Sequence, residues 1–311
     1  MSIHAFFADL AGWRVPLRFV MFILAIIPSC LFGIYANQTY SAAFAQAEEG
    51  LKRRTAMLAE HMARIFDVQS AVIDLFAARL EGIAPHELPR SPALVQAFRG
   101  WVNHDRAVSA VLVADERGKV LASSWPAPCL DVGDRAYFLA ALRSRDLVIS
   151  APLQSRVTGN EIVAVARGWT GGVIAVTLLV RQIEEMLGLR VVHGDGQPVV
   201  RLVRDDGVQL MQWPRNAGWQ VEDGDLSRRM AQAPDSVLRV RTGDDGREGL
   251  LAHQRVGQYP VRIVYAVRSS VVFKEWLGAL LPQFLLAVMA SLLLAGAVWL
   301  VMRRDREASA A

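Results

Sequence analysis

Val108-Ser-Ala-Val-Leu-Val-Ala-Asp-Glu-Arg-Gly-Lys-Val-Leu-Ala-Ser-Ser124 is the stretch on which the fold turns. Val108 to Asp115 is an apolar run, Glu116-Arg117-Gly118-Lys119 supplies turn residues, and Val120 to Ser124 is a second short run. A pair of short runs separated by a glycine-containing turn predicts a hairpin. C-terminal to it, Arg135 to Arg143 has helical spacing and lies beside a loop, and Leu147 to Ala151, Glu161 to Trp169 and Gly172 to Leu179 read as further strands. One antiparallel sheet with a helix across it accounts for Val108 to Leu187.

A second, smaller copy follows. Strands are predicted at Val199 to Arg204, Val208 to Gln212, Ser236 to Thr242, Gly249 to Val256 and Val261 to Arg268. Asp205-Asp206-Gly207 and Asp244-Asp245-Gly246 place glycine where a tight hairpin needs positive φ. N-terminal to the hairpin, Pro85, Pro89 and Pro92 interrupt a helical pattern in which Phe44, Leu51, Leu58, Ile65 and Val72 recur at seven-residue spacing. Ala47, Val68 and Leu75 form a second stripe. That spacing predicts a stalk helix docked on its own domain. Pairing of two chains along it is the further reading, and spacing alone does not separate the two.

Near the ends stand two apolar segments, Phe19 to Ala36 and Leu277 to Met302. At about 1.5 Å of rise per residue, roughly 20 apolar residues match a bilayer core of about 30 Å, so each segment is predicted to span a membrane. Arg14 and Arg18 precede the first and Arg303, Arg304 and Arg306 follow the second. Basic flanks stay on the cytoplasmic side, which puts both termini inside and Asn37 to Glu275 outside. Trp13, Tyr35 and Trp276 fall near the expected interfaces. A cleaved signal peptide is the competing reading of the first segment, but Arg18 sits late and the apolar run continues beyond the only loose cleavage box, Ile27-Pro28-Ser29-Cys30. Pro28 is tolerable inside a membrane helix, where neighbours satisfy the freed carbonyl.

Composition fits this division. Of the 311 residues 53% are hydrophobic, raised by the two spans, and a net charge of +4 is too small to point to nucleic acid. Cys30 and Cys129 are the only cysteines, one inside a span, so no disulfide is expected in the middle domain, where Cys129 reads as a buried small residue. His4, His61, His86, His104, His193 and His253 are scattered without metal-ligand spacing, and no metal or other cofactor is expected. No GxSxG, phosphate loop or acidic pair argues for an enzyme.

The stretch Asp131-Val-Gly-Asp-Arg-Ala-Tyr-Phe138, followed by Ile149-Ser-Ala-Pro-Leu-Gln-Ser-Arg-Val-Thr-Gly159 and the strand Ile162 to Arg167, resembles the membrane-distal module of the bacterial double Cache sensors. These extracytoplasmic domains have PAS-like modules and occur on membrane diguanylate cyclases and sensor histidine kinases. Leu251-Ala-His-Gln-Arg-Val-Gly-Gln-Tyr-Pro-Val261 is similar, more weakly, to the closing strands of the membrane-proximal module. The resemblance covers Asn37 to Glu275 and implies an α+β fold: two transmembrane helices flanking a long stalk helix and two PAS-like antiparallel-sheet modules. The expected boundaries are a cytoplasmic N-terminus at 1–18, a span at 19–36, the stalk at 37–82, a distal module at 83–190, a proximal module at 191–275, a span at 277–302 and a tail at 303–311.

The resemblance further implies that the distal module binds a small molecule between its sheet and the loop carrying Asp134, Arg135, Tyr137 and Phe138. Arg135, Arg156 and Arg167 are candidates to converge on one side of the sheet, and a guanidinium pairs two-pronged with a carboxylate. Tyr137 and Thr158 offer hydroxyls, and Phe138 and Trp125 apolar walls, so a carboxylate is the expected ligand. In the plainer alternative, Asp131 or Asp134 pairs with Arg135 to fix the loop, Phe138 is core and Arg156 is a solvated turn residue. The sequence departs from the amino-acid-binding members: Arg99-Gly100-Trp101 is followed by Val102, not by tyrosine, and an amino-acid ligand is not expected.

The function expected is that of an inner-membrane, two-pass sensor with a periplasmic or extracellular domain, passing ligand occupancy through its stalk and spans to an output module or partner signalling protein. The tail Arg303 to Ala311 is too short to fold. The output module is then either missing from this sequence or supplied by another membrane protein, contacted through small residues such as Ala287, Ala290, Ser291 and Gly296; the polar end favours the second. The alternative is a non-sensory scaffold subunit that uses its sheet modules as contact surfaces.

Overall fold

The computed structural model describes residues 17–83, 87–88, 91–126, 130–187, 197–215, 229–230, 236–241 and 248–308. They fall into two compact units, one of Met1–Ala47 with Ser270–Ala311 and one of Glu48–Ser269. Cys129, the expected turn at Asp244 to Gly246 and the prolines Pro85 and Pro89 lie outside the described residues.

Helix α1 (Leu17–Leu80) enters the larger unit at Glu48. Its buried side chains there are Leu51, Thr55, Ala59, Met62, Ile65, Phe66, Gln69, Val72, Ile73, Phe76 and Leu80. This is the three-and-four spacing of a single docked face. The second stripe read from the sequence is corrected: Val68 and Leu75 are 44% and 52% exposed, because a helix docked on one face turns the next stripe outward. Pro92 is corrected too. It does not break a helix but opens α2 (Pro92–His104), where a missing N–H costs nothing, behind the N-cap Ser91 whose hydroxyl accepts from Leu94 N. Gln69, 1% exposed, ties α1 to α2. Its amide donates to Asp105 Oδ2 at 2.9 Å and its oxygen accepts from Trp101 Nε1 at 3.2 Å, beside the edge-to-face pair Phe76 and Phe98.

The first sheet holds β1 (Val108–Asp115), β2 (Val120–Ser123), β3 (Val148–Ile149), β4 (Leu153–Gln154), β5 (Glu161–Trp169) and β6 (Gly172–Leu179). Its order is β2-β1-β6-β5-β3, with β4 also on β5. Every pairing is antiparallel. The strand read over Leu147 to Ala151 is reduced to the two residues of β3, and β4 lies beyond that range as a second short piece on β5. Helix α3 (Ala136–Ser144) lies across one face and buries Tyr137, Phe138 and Ala141 among Leu112, Ala114, Ala164, Ala166, Val173 and Ala175. Small residues on the strands let the helix and its aromatic rings come close. Helix α2 packs on β1 and β2, and α4 (Val180–Met186) follows β6.

The second sheet holds β7 (Val199–Arg204), β8 (Gln209–Trp213), β9 (Val237–Arg241), β10 (Glu248–Arg255) and β11 (Val261–Arg268) in the order β8-β7-β11-β10-β9. With β3 and β4 taken as one interrupted edge, both sheets run second, first, last, next to last, third. The repetition read in the sequence is a repetition of topology. Gly207 has φ 88° in the β7–β8 turn, which explains the glycine after two aspartates. Tyr259, between β10 and β11, donates its hydroxyl to Asp67 of α1 at 2.6 Å and packs on Phe66, fastening the sheet to the stalk. Burial, then Asp67, raise its pKa well above the tyrosine range.

In the smaller unit α1 begins at Leu17 and α5 spans Ser269–Ala308. Phe32 meets Phe284 at 5.5 Å, Tyr40 meets Trp276 edge-on at 5.2 Å, and Trp276 Nε1 donates to Thr39 Oγ1 at 3.2 Å. Among the described residues one helix is long and apolar enough to cross a membrane, Ser269–Ala297. Leu31, Ile34, Leu285, Leu292 and Leu293 are all more than half exposed.

Candidate functional site

Two loops meet over the helix-bearing face of the first sheet. The first, 130–135, is drawn back onto the hairpin turn. Val120 N donates to Leu130 O and Val132 N to Gly118 O, with Lys119 bridged to Asp131. The approach is so close that a Cβ on Gly118, whose φ is 90°, would sit 2.2 Å from Gly133 Cα. Only glycine fits there. Asp131 Oδ1 accepts from Gly133 N at 2.7 Å, an Asx turn that aims the next residues, Asp134 and Arg135, at the second loop.

The second loop, 155–160, is shaped by its own hydroxyls. Ser155 Oγ accepts from Val157 N and Thr158 N, Thr158 Oγ1 accepts from Asn160 N, and Gly159 turns with φ 69°. From this loop Arg156 reaches back with both amino groups. Nη1 donates to Asp134 Oδ1 at 2.8 Å and to the Asp131 carbonyl, and Nη2 donates to Asp134 Oδ2. Arg135, at the N-cap of α3, donates to the Gln154 carbonyl at 3.2 Å. The loops are therefore stitched from both sides by arginine.

The electrostatics follow. The Arg156 hydrogen bond holds the Asp134 carboxyl below the usual carboxylate range, and Asp134 raises Arg156 in turn. Burial pushes the Tyr137 hydroxyl up to about 12 against the pull of Arg135 and Arg156, so it remains a neutral donor. Phe138 and Tyr137 are 1% and 5% exposed and belong to the core beneath the loops.

Of the residues named from sequence, Arg135, Arg156 and Thr158 stand in the two loops, with Tyr137 and Phe138 under them. Arg167 is not brought to them. It donates to Asp74 and Ser70 of α1, on the opposite face of the sheet. The expected convergence of three arginines on one side is thus reduced to two. Trp125, 43% exposed, is tied to β1 by its indole N–H on the Ser109 carbonyl at 2.8 Å. Asp134 pairs with Arg156, not Arg135. The sequence offers Asp131 as a partner for Arg135, whereas its carboxylate serves to aim the loop, a part signalled by the Asp131-x-Gly133 spacing. Arg99 and Trp101, which begin the partial match to the amino-acid-binding pattern, are held by Ser124 O and Gln69. Among the described residues no group of three His, Cys, Asp or Glu side chains could hold a metal ion.

No protein-family model matches the chain, and no curated protein matches it. Solved structures do. The extracellular domain assigned to a histidine kinase, rpHK1S-Z16, matches with a TM-score of 0.64 at 26% identity, over 74% of this chain and 98% of that domain. The ligand-binding domain of the Campylobacter jejuni chemoreceptor Tlp3, solved with L-norvaline, matches at 0.56 and 9% identity over 74% of this chain and 94% of that one. The ligand-binding domain of the Pseudomonas aeruginosa amino-acid chemoreceptor PctB, solved with L-Arg, matches at 0.56 and 16% identity over 74% and 98%. With its long N-terminal helix and two sheets of identical strand order, the chain carries a domain of the double Cache, PAS-like fold that these extracellular and ligand-binding domains share.

Proposed function

We propose that the chain is a membrane-anchored extracytoplasmic sensor whose first sheet module binds a small carboxylate at the two stitched loops. The observation that carries this reading is the meeting of Arg135 and Arg156 at those loops, over a buried neutral Tyr137 hydroxyl. Arg156 already holds one carboxylate, that of Asp134, in the two-pronged geometry a ligand would use. Thr158 borders the site, whereas Trp125, held by the Ser109 carbonyl at the start of β1, lies at the far end of the hairpin from the turn on which loop 130–135 docks and is not brought to it. The Tlp3 and PctB domains, solved with L-norvaline and L-Arg, lend support for a small ligand. The missing tyrosine after Arg99-Gly100-Trp101 keeps the proposal at the carboxylate class.

Anchoring rests on α5 and on the apolar start of α1. Two spans with both termini cytoplasmic accord with the arginines outside each span and with the exposed apolar side chains of both helices in the smaller unit. Ligand occupancy would then bias two arrangements of α1 and α5, with a cytoplasmic output module or partner reading the result; a second copy paired along the stalk is one route. One observation favours the scaffold alternative: Asp134 occupies Arg156, and Tyr137 and Phe138 fill the space below.

The test is a thermal-shift screen of the full chain in detergent against small mono- and dicarboxylates, with Arg135→Ala and Arg156→Ala beside wild type. A ligand that binds only the folded state raises Tm. A shift lost in both variants supports the site. A shift kept in both moves the site elsewhere, and no shift from any carboxylate favours the scaffold.

A further inference from the structure

We propose that Arg204 and Arg215 form a clasp that passes the state of segment 149–161 to the second sheet. The inference rests on the reading of that segment as one wall of the ligand site. Arg204, the last residue of β7, is held by Asp206 of the following turn, with Nε to Oδ1 at 2.8 Å and Nη2 to Oδ2 at 2.6 Å. So oriented, its Nη1 donates to the carbonyl of Ile149 at 2.8 Å. Arg215, just past β8, donates from Nη1 to Glu161 Oε2 at 3.0 Å and from Nε to Glu184 Oε1 at 3.2 Å.

The two contacts bracket the segment. Ile149 ends β3 and Glu161 begins β5, and between them lie Gln154, whose carbonyl takes Arg135, and Arg156, which takes Asp134. One stretch of chain therefore carries contacts to the stitched loop from its middle and to the second sheet from its ends. The contacts at the ends differ in firmness. Arg204 is pre-organised by a planar fork and meets a backbone carbonyl. Arg215 and Glu161 are 54% and 45% exposed, while the Glu184 side chain is 13% exposed, so the Glu161 bond is the one that opens cheaply. A cavity of about 560 Å³ bounded by Asn160, Glu161, Gln182, Glu184 and Arg215 gives the guanidinium room to leave Glu161. A firm contact at one end and a releasable one at the other make a two-state element, which coupling between sites requires. Both arginines act through the segment as positioning residues and touch no ligand.

The test needs no ligand. Backbone hydrogen exchange is followed by mass spectrometry on the full chain in detergent, in a cycle of Arg156→Ala against the pair Arg204→Met and Arg215→Met. Arg156→Ala alone is expected to speed exchange at residues 204–215 by about 2- to 30-fold, the range spanned by coupling energies in packed networks. In the clasp-free background that increase should vanish. Arg204→Lys with Arg215→Lys, which keeps charge and removes the forks, provides a second background should the methionine pair unfold. An increase confined to residues 131–160, or increases that simply add, would overturn the clasp, additivity being what a merely structural role gives. The ligand screen fails or succeeds independently of this cycle, so the two readings fall separately.

Discussion

Arg156 grips Asp134 across 22 positions of sequence with both amino groups, and it takes the Asp131 carbonyl as well. A guanidinium that satisfies three oxygens at once fixes a loop as rigidly as it would a ligand. Lysine, a point charge, cannot reproduce this. Arg156→Lys should therefore lose the carboxylate-induced rise in Tm as completely as Arg156→Ala, while the Tm of the unliganded chain moves little in either, the pair being exposed. Thermal scans with and without ligand check both; recovery of the ligand shift in the lysine variant would show that charge alone suffices.

Arg167 should behave oppositely. Its partner Asp74 lies on α1, and the pair is partly exposed at 28% and 55%. Arg167→Ala is expected to cost on the order of 0–1 kcal/mol, to couple to Asp74→Asn in a double-mutant cycle of Tm or denaturant midpoint, and to leave ligand binding intact. Loss of the ligand shift would return Arg167 to the site.

The difference between these two arginines marks where the sequence stopped being legible. Strands β1, β5, β6, β7 and β11 were read with their observed bounds because apolar runs between turn residues are local signals. The same runs hide which face a residue takes. On β5, Ile162 to Ala166 are all buried, so no alternation remains to say that Arg167 points to the stalk. Asp134 and Arg156 meet through two loops with no period relating them. Pro92 is ambiguous in sequence because a helix start and a helix break carry the same residue. The identical strand order of the two sheets, by contrast, was implied once the second set of strands was seen as a copy.

Gln69 is the polar residue on which the docking of α1 to α2 depends. Its amide serves both Trp101 and Asp105 from a nearly inaccessible position. Gln69→Leu keeps the volume but strands two half-buried partners, for an expected loss of about 1–3 kcal/mol by chemical denaturation. Phe98→Ala, which empties a fully buried ring site against Phe76, should cost about 3–5 kcal/mol. A Gln69→Leu variant as stable as wild type would mean that these groups find other partners.

Glu184 gives the clasp a pH signature. Burial is the leading influence on its carboxyl and raises it above the ordinary 4.5; Arg215 opposes the shift, Glu161 adds to it, and Arg181 on the same helix opposes it. A carboxyl raised in the folded state binds its proton more readily there than in the unfolded chain. Its contribution to stability is therefore complete below pH 4.5 and is lost as pH rises through the raised value. Glu184→Gln keeps an acceptor for Arg215 and does not titrate. The Tm of wild type relative to this variant should fall as pH rises from 4.5 through the raised value. A Tm difference that climbs with pH would mean that the Arg215 pair outweighs the cost of burying the charge, and the clasp would then be firm at both ends.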